Sequence, residues 1–301
     1  MRQEQCPVCG AEDKKENRNF SLILCKKCGV TWTLIQSDLD MAALYEDEIY
    51  TVVDNRNSIF EKIIFQEASN VIHTVNRLLP DISPLRCLDF GSGKGQFLFQ
   101  AKIAGWQAMG IETAPERARF AQEKYGVKVQ TEQYSKGKID SGNFDVLTLF
   151  HVLEHLPAPL AMLKELCDNN LRKGGILVLE VPNIKSWQHQ WAGDKWMHLD
   201  IPKHLSHWHE TQLAEKVEAL GFKRVKSQYF SLHLGVLGNL SALLGKLGYG
   251  GNIIYDLKNR KKPPMLLGVG LIFPLSLLLE VFALPFRRTG IVRLYFKKNE
   301  S

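Results

Sequence analysis

The sequence predicts an α/β fold in which a parallel β-sheet carries helices on both faces. Between residues 86 and 181, short apolar segments alternate with segments of helical length, which is typical of βαβ units. A glycine-rich turn directly follows the first apolar segment, at the kind of position where such sheets bind ligands. With 301 residues, the chain is long enough for one such domain and smaller attachments.

Seven short segments are predicted to be strands because each is apolar and bounded by polar or glycine-rich residues: 86–90, 107–111, 127–130, 144–150, 175–181, 222–230 and 290–297. Changes in composition divide the chain into three parts. They are a cysteine-rich head at 1–35, a connector at 36–80 and an α/β domain at 81–298.

Composition narrows the class of protein. Apolar residues make up 45% of the chain and charged residues 23%, so the sequence predicts neither a disordered chain nor a membrane protein with many spans. The net charge is only +6, and the basic residues form no stripe with aromatic residues, which argues against a nucleic-acid partner. The N-terminus has no basic start with a long apolar segment behind it, so we expect a cytoplasmic protein.

The head carries four cysteines in metal-binding spacing. Cys6 and Cys9 form one CxxCG motif, Cys25 and Cys28 form a second, and fifteen residues separate the two motifs. Four thiolates so spaced can close a tetrahedral Zn²⁺ site, and the glycine after each motif permits a tight turn. In a reducing compartment this pattern favours metal binding over disulfides. The head is therefore predicted to be a zinc ribbon with one structural Zn²⁺.

The connector has apolar residues at helical spacing, at Ile59, Ile63, Ile64, Ala68 and Val71. This spacing predicts a helix. Such a helix could form a lid over a site in the domain that follows.

The glycine-rich turn is the strongest ligand-binding signal in the sequence. Asp89 lies near the end of the first apolar segment, and Gly91, Gly93 and Gly95 then let the backbone turn sharply and approach a ligand. Gln96 excludes the GxGxxG pattern of dinucleotide-binding proteins. The GxGxG spacing resembles motif I of the class I S-adenosylmethionine-dependent methyltransferases.

Later segments support the same resemblance. Glu112 follows the second predicted strand, where a carboxylate can accept hydrogen bonds from both hydroxyls of a ribose. Three segments are similar to the ubiquinone-methyltransferase-like branch of that family: 145–157, 182–183 and 200–207. The resemblance covers about residues 80–230 and the closing strand at 290–297.

This resemblance implies a Rossmann-like, seven-stranded methyltransferase sheet whose last strand is antiparallel. It also implies that S-adenosylmethionine lies with its methionine end near Asp89 and its ribose at Glu112. The residues expected to contact this cofactor are Asp89, Gly91, Ser92, Gly93, Gly95, Glu112, Thr113, Gln133 and Phe150. Gln133 departs from the family pattern, because many relatives carry an acid near the adenine there.

A second polar group follows the fourth predicted strand. His151, Glu154 and His155 have spacings of three and four, which put them on one face if the chain turns helically, and His204 lies downstream. Small-RNA 2′-O-methyltransferases and ubiquinone-pathway O-methyltransferases hold a divalent ion with a similar ExxEH segment and a downstream histidine. The resemblance therefore implies Mg²⁺ or Mn²⁺ on Glu154, His155 and His204, with His151 in place of the first glutamate.

Three roles for this polar group stay open from the sequence. A metal ion there could lower the pKa of an acceptor hydroxyl. Without a metal, His155 or His151 could be the general base, oriented by Glu154. The same residues could instead be structural and satisfy buried backbone groups.

An apolar insertion at 236–288 precedes the last predicted strand. Residues 265–286 contain a single charge, that of Glu280, and basic residues flank them on both sides. Because the last strand has to rejoin the sheet, a single transmembrane span is not expected. With Pro274 as a bend, the insertion could form a helical hairpin in the membrane interface, at the inner membrane face. A buried helical cover or a homodimer interface is the alternative.

Together these features predict an enzyme that transfers a methyl group from S-adenosylmethionine to an oxygen, or to a carbon, of a small-molecule, glycolipid or other lipid- or glycan-linked acceptor. Nitrogen acceptors are disfavoured, because no Asn/Asp-Pro-Pro-Tyr motif follows the fourth predicted strand. One alternative is a sugar C-methyltransferase, since some of those enzymes join a cysteine-zinc head to a similar domain. The other is a non-catalytic scaffold that carries the zinc ribbon and binds the cofactor only as a sensor or not at all.

Overall fold

The computed structural model describes residues 5–17, 22–34, 54, 56–131, 134, 137–251, 253–259 and 263–300. The strands within them are β1 (Lys14–Asn17), β2 (Leu22–Cys25), β3 (Thr31–Thr33), β4 (Arg86–Phe90), β5 (Gln107–Ile111), β6 (Lys128–Gln130), β7 (Phe144–Phe150), β8 (Leu171–Pro182), β9 (Ser206–His207), β10 (Phe222–Gln228) and β11 (Ile291–Lys298). The α-helices are α1 (Ile59–Leu78), α2 (Gln96–Ile103), α3 (Pro115–Phe120), α4 (Pro159–Asn170), α5 (Trp187–Ala192), α6 (Glu210–Glu218), α7 (Leu237–Lys246), α8 (Ile253–Asn259) and α9 (Pro263–Ala283).

The main sheet has seven strands in the order β6-β5-β4-β7-β8-β11-β10. The pairs from β6 to β8 are parallel, whereas β11 is antiparallel to both of its neighbours. The α/β prediction, the seven strands and the antiparallel last strand are therefore confirmed. The strand order reverses between β4 and β7, and ligands of open α/β sheets bind at the carboxyl ends of the strands beside such a point.

The central strands are buried along nearly their whole length, as expected for a sheet with helices on both faces. Strand β8 begins at Leu171, four residues before the predicted start, although Arg172, Lys173 and Gly174 interrupt the apolar pattern. The pairing with β7 shifts register there, between Phe144 and Val146. This irregularity accommodates the polar residues and explains why the sequence pattern missed the first part of the strand.

A second, four-stranded sheet joins the head to the α/β domain, in the order β1-β2-β3-β9. Strand β9 comes from the loop after β8, and it pairs antiparallel with β3 through Thr31 opposite His207 and Trp32 opposite Ser206. The sequence did not predict β9. The head therefore packs directly against a loop of the α/β domain.

The helix predicted in the connector is α1. It begins after Ser58, whose hydroxyl accepts a hydrogen bond from the Glu61 amide, and it buries Ala68, Val71 and Val75. Most of the connector before α1, from residue 36 to 53, lies outside the described residues.

The apolar insertion is helical, as predicted, and its helices α7 and α9 differ in how far they are buried. Helix α7 is mostly buried, with Leu237, Leu240 and Leu244 in a core cluster. Helix α9 packs on α7 through Val269 and Ile272 and leaves its other side exposed. Within the described residues, one helical window is long and apolar enough to cross a membrane, Met265–Ala283, with a mean hydropathy of 2.2.

Candidate active site and cysteine cluster

The glycine-rich turn lies between β4 and α2, at the carboxyl end of the sheet. The amides of Gly91 and Ser92 donate to Ile111 O, at the end of β5, with lengths of 2.8 and 2.9 Å. Gly91, Gly93 and Gly95 all have positive φ, between +54° and +79°, a region that favours glycine. A Cβ at Gly91 would lie 2.4 Å from the Val152 side chain, whereas one at Gly93 would meet no atom of the described residues within 4 Å. Gly91 is therefore required by close packing against Val152, whereas Gly93 borders open space.

Two carboxylates stand on either side of this turn. Asp89 is buried and accepts a hydrogen bond of 2.6 Å from the Thr148 hydroxyl on β7. Burial raises the pKa of Asp89 to about 7, and nearby Glu112 adds to the shift. Glu112 follows β5, and its two oxygens accept from the amides of Gly93, at 2.8 Å, and Ala114, at 2.9 Å. Each of these oxygens has a further lone pair, so Glu112 can still accept from a ligand hydroxyl.

A cavity of about 230 Å³ opens on the inner side of the turn. Among the predicted cofactor residues, those that line it are Asp89, Gly91, Ser92, Gly93 and Phe150. Gly95 instead faces the core, where a Cβ would lie 2.7 Å from Ala121 Cβ. Neither Glu112 nor the exposed Thr113 is among the residues lining the cavity, and Gln133 lies outside the described residues. Helix α1 forms the opposite wall through Ile64, Glu67, Ala68 and Val71.

His151 also lines this cavity, and its ring lies between two buried carboxylates. Its Nε2 donates to Glu180 Oε1 at 3.1 Å, and its Nδ1 lies 3.3 Å from Glu154 Oε1. Burial alone would lower the pKa of His151, but contacts with Glu154 and Glu180 outweigh it and raise the pKa to about 10. The imidazole is thus protonated at neutral pH. The predicted contact between His151 and Glu154 is present, whereas the predicted role of His151 as a general base stays a prediction.

Two charged residues of this site were not predicted from the sequence. Glu180 of β8 and Arg293 of β11 lie opposite each other in the antiparallel pair and form an ion pair. Arg293 also lies 3.8 Å from Glu67 of α1. The ion pair with Arg293 contributes to a lowered pKa of Glu180, about 2, against the opposing effect of burial. From Glu67 through Arg293, Glu180 and His151 to Glu154, the charges alternate in sign. The sequence signal that could have indicated these two residues is a charged residue within an otherwise apolar strand segment.

Glu154, His155 and His204 form a compact cluster, and their ligand atoms lie within 4.8 Å of one another. Glu154 is buried, and neither carboxylate oxygen accepts a hydrogen bond from a described residue, although Oε1 lies 3.3 Å from Nδ1 of His151. Nδ1 of His155 donates to Lys203 O and Nδ1 of His204 to His198 O, so in both rings Nε2 carries the lone pair. Burial lowers the pKa of His204 well below its usual value, which keeps this ring neutral. Metal-binding histidines are commonly held in this way, so the cluster fits a divalent ion.

The cluster nevertheless differs from the arrangement that the residue spacing suggested. Residues Leu153–His155 form a single 3₁₀ turn, and His155 packs against His204, with ring centroids 4.6 Å apart, while His151 faces Glu180. The cluster contacts the cavity through His151 rather than lining it.

A larger cavity of about 500 Å³ adjoins the first, and both are lined by Glu67 and Arg293. Its remaining walls come from α1, from the end of β10 and from Leu284 after α9. Apolar groups such as Phe230 and Leu232 face it alongside Gln66 and Asn70. It is large enough for a substantial organic molecule.

The four cysteines of the head converge on one point. Cys6 Sγ lies 3.5 Å from Cys28 Sγ, and Cys9 Sγ lies 3.6 Å from Cys25 Sγ. Four thiolates on a tetrahedral Zn²⁺ at about 2.3 Å have sulfur–sulfur distances of about 3.8 Å, so the cluster fits this ion. The glycines after the two motifs, Gly10 and Gly29, have φ of +69° and +74°.

The head also contacts the histidine cluster. The Thr33 hydroxyl donates to His204 O at 2.6 Å and lies 2.9 Å from His207 Nε2, and Thr33 N donates to Leu205 O. Leu205 N in turn donates to Glu154 O at 2.7 Å. The Thr33 side chain therefore connects β3 to His204, and backbone hydrogen bonds through Leu205 connect β3 to Glu154.

Comparison with known sequences assigns the central part of the chain. A family profile described as a methyltransferase domain matches residues 62–227. The ubiquinone biosynthesis O-methyltransferase of Xanthomonas oryzae pv. oryzae (strain PXO99A) is 32% identical over 110 residues, which are 34% of this chain and 45% of that protein. The chain thus covers less than half the length of this curated relative.

Solved structures share the fold. The 1,6-didemethyltoxoflavin-N1-methyltransferase of Burkholderia thailandensis, with bound S-adenosylhomocysteine, has a TM-score of 0.50 at 16% identity, over 90% of this chain and 96% of that one. The [4+2]-cyclase SpnF has a TM-score of 0.50 at 18% identity, over 78% of this chain and 82% of that one. The same fold therefore occurs in proteins named for different reactions.

Proposed function

Because the chain belongs to the methyltransferase-domain family, we propose that it is an enzyme that transfers the methyl group of S-adenosylmethionine to an oxygen of a small-molecule or lipid- or glycan-linked acceptor. One observation supports this most directly. The glycine turn after β4 and the carboxylate after β5 meet through the hydrogen bond from Gly93 N to Glu112, beside a cavity. Oxygen is favoured as the acceptor atom by the similarity to an O-methyltransferase.

Residues in and beside the smaller cavity could each bind a different part of this cofactor. Glu112 would accept hydrogen bonds from the ribose hydroxyls, and the open space over Gly93 would admit the chain of the cofactor. Ionised Asp89 would attract the ammonium group of the methionine end. When bound, S-adenosylmethionine supplies an electrophilic methyl group on a sulfonium ion.

We further propose that a divalent ion binds Glu154, His155 and His204. The support is the buried carboxylate, which accepts no hydrogen bond from the described residues, and the two rings whose Nδ1 atoms donate to backbone carbonyls. Two imidazole nitrogens favour a transition-metal ion such as Mn²⁺ over Mg²⁺, which takes oxygen ligands. Such an ion would supply Lewis acidity, which would lower the pKa of an acceptor hydroxyl that reaches past His151 from the cavity.

Protonated His151 has a separate task in this proposal. It is the cationic side chain between the metal cluster and the cavity, and Glu154 and Glu180 hold its ring in place. Its φ of +55° is unusual for a residue other than glycine, and the two contacts explain how it is maintained. We infer that His151 acts through its positive charge beside the cavity rather than by accepting a proton, because both of its ring nitrogens already face carboxylates.

Calorimetry with S-adenosylhomocysteine tests the cofactor site. Glu112→Gln should weaken binding by roughly tenfold, since the carboxylate loses its charge and part of its accepting capacity. Glu116→Gln, an exposed change four residues later, is the matched control and should bind as the wild type does. Equal affinity of wild type and Glu112→Gln would contradict the assignment of this site.

Methyl transfer itself is tested with S-adenosylmethionine labelled with ¹³C in the methyl group. Incubation with lipid, glycan and phenolic acceptors, followed by NMR, distinguishes a methyl on oxygen from one on carbon. A product with the label on a sugar carbon would support the C-methyltransferase alternative. Cofactor binding without turnover on every acceptor would support the scaffold.

A further inference from the structure

Helix α9 has an apolar side that no described part of the chain covers. We define the outward face of α9 as the exposed apolar residues Leu266, Leu267, Leu271, Phe273, Leu275, Leu278, Val281 and Phe282. Five of them recur at spacings of three or four and so form one stripe along the helix: Leu267, Leu271, Leu275, Leu278 and Phe282. Leu271 and Leu278 are 72% and 65% exposed.

From this face and its surroundings, we propose that the outward face of α9 is a docking surface for an anionic lipid bilayer. The most apolar window of the described chain is only 11% buried, whereas a core helix of similar composition is mostly covered by its own domain. The face carries no charged side chain, because the one acid of α9 points the other way.

That acid, Glu280, fixes the orientation of the helix. Its Oε2 accepts from Asn239 Nδ2 of α7, at 2.7 Å, and from Gln188 Nε2 of α5, at 3.0 Å, while its Oε1 accepts from Gly290 N. Burial raises the pKa of Glu280 to about 7. This buried carboxyl accepts hydrogen bonds at both oxygens and so holds the inward side of α9 against the domain. The apolar side of the helix therefore faces outward.

Aromatic side chains extend the face at the end of α9. The ring of Trp187 lies 5.1 Å from that of Phe286, 5.6 Å from Phe282 and 6.4 Å from Trp191, measured between centroids. Tryptophan is enriched at the boundary between a bilayer and water. Trp187 and Trp191 therefore mark the depth at which the headgroups are expected.

Three cations lie at the same end. Arg287 is largely exposed, Lys185 is exposed, and Arg288 donates to the Lys185 carbonyl, which places the three close together. Arg287 also contacts Glu210 at 3.6 Å. Basic groups beside an apolar face attract anionic headgroups, so the charge favours a bilayer over a second copy of this positively charged chain.

The helix lies along the membrane surface in this proposal rather than across the bilayer. Its inward side packs on α7 through Val269 and Ile272, and the chain re-enters the main sheet at β11 directly after it. A helix anchored in this way buries its apolar face at the headgroup boundary.

This orientation also places the larger cavity at the membrane end of the domain. Leu284, one residue beyond α9, lines that cavity, as does Tyr229, over whose ring the Arg287 guanidinium lies. An acceptor with an apolar tail would reach the cavity directly from the bilayer. This last step rests on the proposed methyl transfer, whereas the docking itself does not.

Flotation with vesicles tests the docking, with the full-length chain and no acceptor. Wild type should float with vesicles of phosphatidylglycerol and phosphatidylcholine, and less with phosphatidylcholine alone. The variant Leu271→Glu/Leu278→Glu should lose roughly tenfold or more of its binding, because charges are costly in an apolar layer. Ile103→Glu, the same change at an exposed residue of α2, should float as wild type does.

Quenching of tryptophan fluorescence by brominated lipid gives an independent readout. Four of the six tryptophans are buried, and Trp187 and Trp191 are the more exposed pair. Brominated vesicles should quench the wild type, and Trp187→Phe/Trp191→Phe should remove most of that quenching while still floating.

Two results would overturn the proposal. One is a wild type that ignores both vesicle types. The other is a dimer in ultracentrifugation that becomes monomeric in Leu271→Glu/Leu278→Glu, which would make the face a subunit interface. Flotation in a chain that lacks methyl transfer would leave the docking supported and the proposed function refuted.

Discussion

Separate alanine substitutions at Gly93 and Gly95 should have different effects, one mainly on cofactor affinity and the other mainly on the stability of the fold. Gly93→Ala places a methyl group in the open space of the smaller cavity, with no described atom within 4 Å. Gly95→Ala places the same group 2.7 Å from Ala121 Cβ and 3.0 Å from Val127 Cγ2, within a packed core. Both residues have positive φ, of +54° and +76°.

The magnitudes follow from these surroundings. The left-handed backbone costs either alanine about 1–2 kcal/mol. Gly95→Ala adds an overlap in a filled core, which costs about 1–3 kcal/mol more. At roughly 2–4 °C per kcal/mol for a domain of this size, the melting temperature should fall clearly further in Gly95→Ala.

Binding should follow the opposite order. Gly93→Ala occupies space intended for the cofactor, so its affinity for S-adenosylhomocysteine should fall by roughly tenfold, about 1.4 kcal/mol. Gly95→Ala, measured well below its melting temperature, should stay close to wild type. Thermal melts and calorimetry on both variants check this. Wild-type affinity in Gly93→Ala, or weaker binding in Gly95→Ala than in Gly93→Ala, would refute the reasoning.

Four further predictions concern the charges of the site and the two candidate metal clusters. Because burial raises the pKa of Asp89 to about 7, the carboxyl is protonated below that pH and ionised above it. The affinity for S-adenosylhomocysteine should therefore rise between pH 6 and 8. Asp89→Asn should flatten that rise. Arg293→Met leaves Glu180 without its buried cation and should lower the free energy of unfolding by about 3–5 kcal/mol in chemical denaturation, whereas the exposed change Lys223→Met should have little effect. Cys25→Ser should release about one Zn²⁺ per chain by elemental analysis; no zinc in reduced wild type would contradict the cysteine assignment. Excess chelator should suppress methyl transfer with cofactor affinity unchanged, and Mn²⁺ should restore the rate better than Mg²⁺. Full activity in excess chelator would refute the proposal of a metal ion at Glu154.

The sheet could be predicted from the sequence because its signals are local. Each central strand is a short apolar segment, and the turn after Phe90 carries its own glycines. The polar network could not be predicted, because Glu180 and Arg293 meet only through the register of β8 and β11, which lie far apart in sequence. Strand β9 has two residues and no local pattern of its own.

The insertion shows a different limit of sequence reasoning. Helices α7 and α9 are both apolar, so composition cannot tell which of them is covered. The difference arises from tertiary packing, in which Leu240 enters a core while Leu271 faces outward. The single acid of α9, Glu280, lies on the inward side of the helix, where it accepts hydrogen bonds from Asn239 and Gln188, and not on the exposed side.

The pairing of β3 with β9 makes the head a structural support of the loop that carries His204. Two residues of β9 cannot hold a strand by themselves, and Thr33 supplies the hydrogen bond that fixes the carbonyl of His204. If the cysteine cluster holds zinc, a chain without that ion would keep its glycine turn but lose the support of its histidine cluster. The amount of competent enzyme in a cell would then follow the supply of zinc, from an ion that lies outside the cavity.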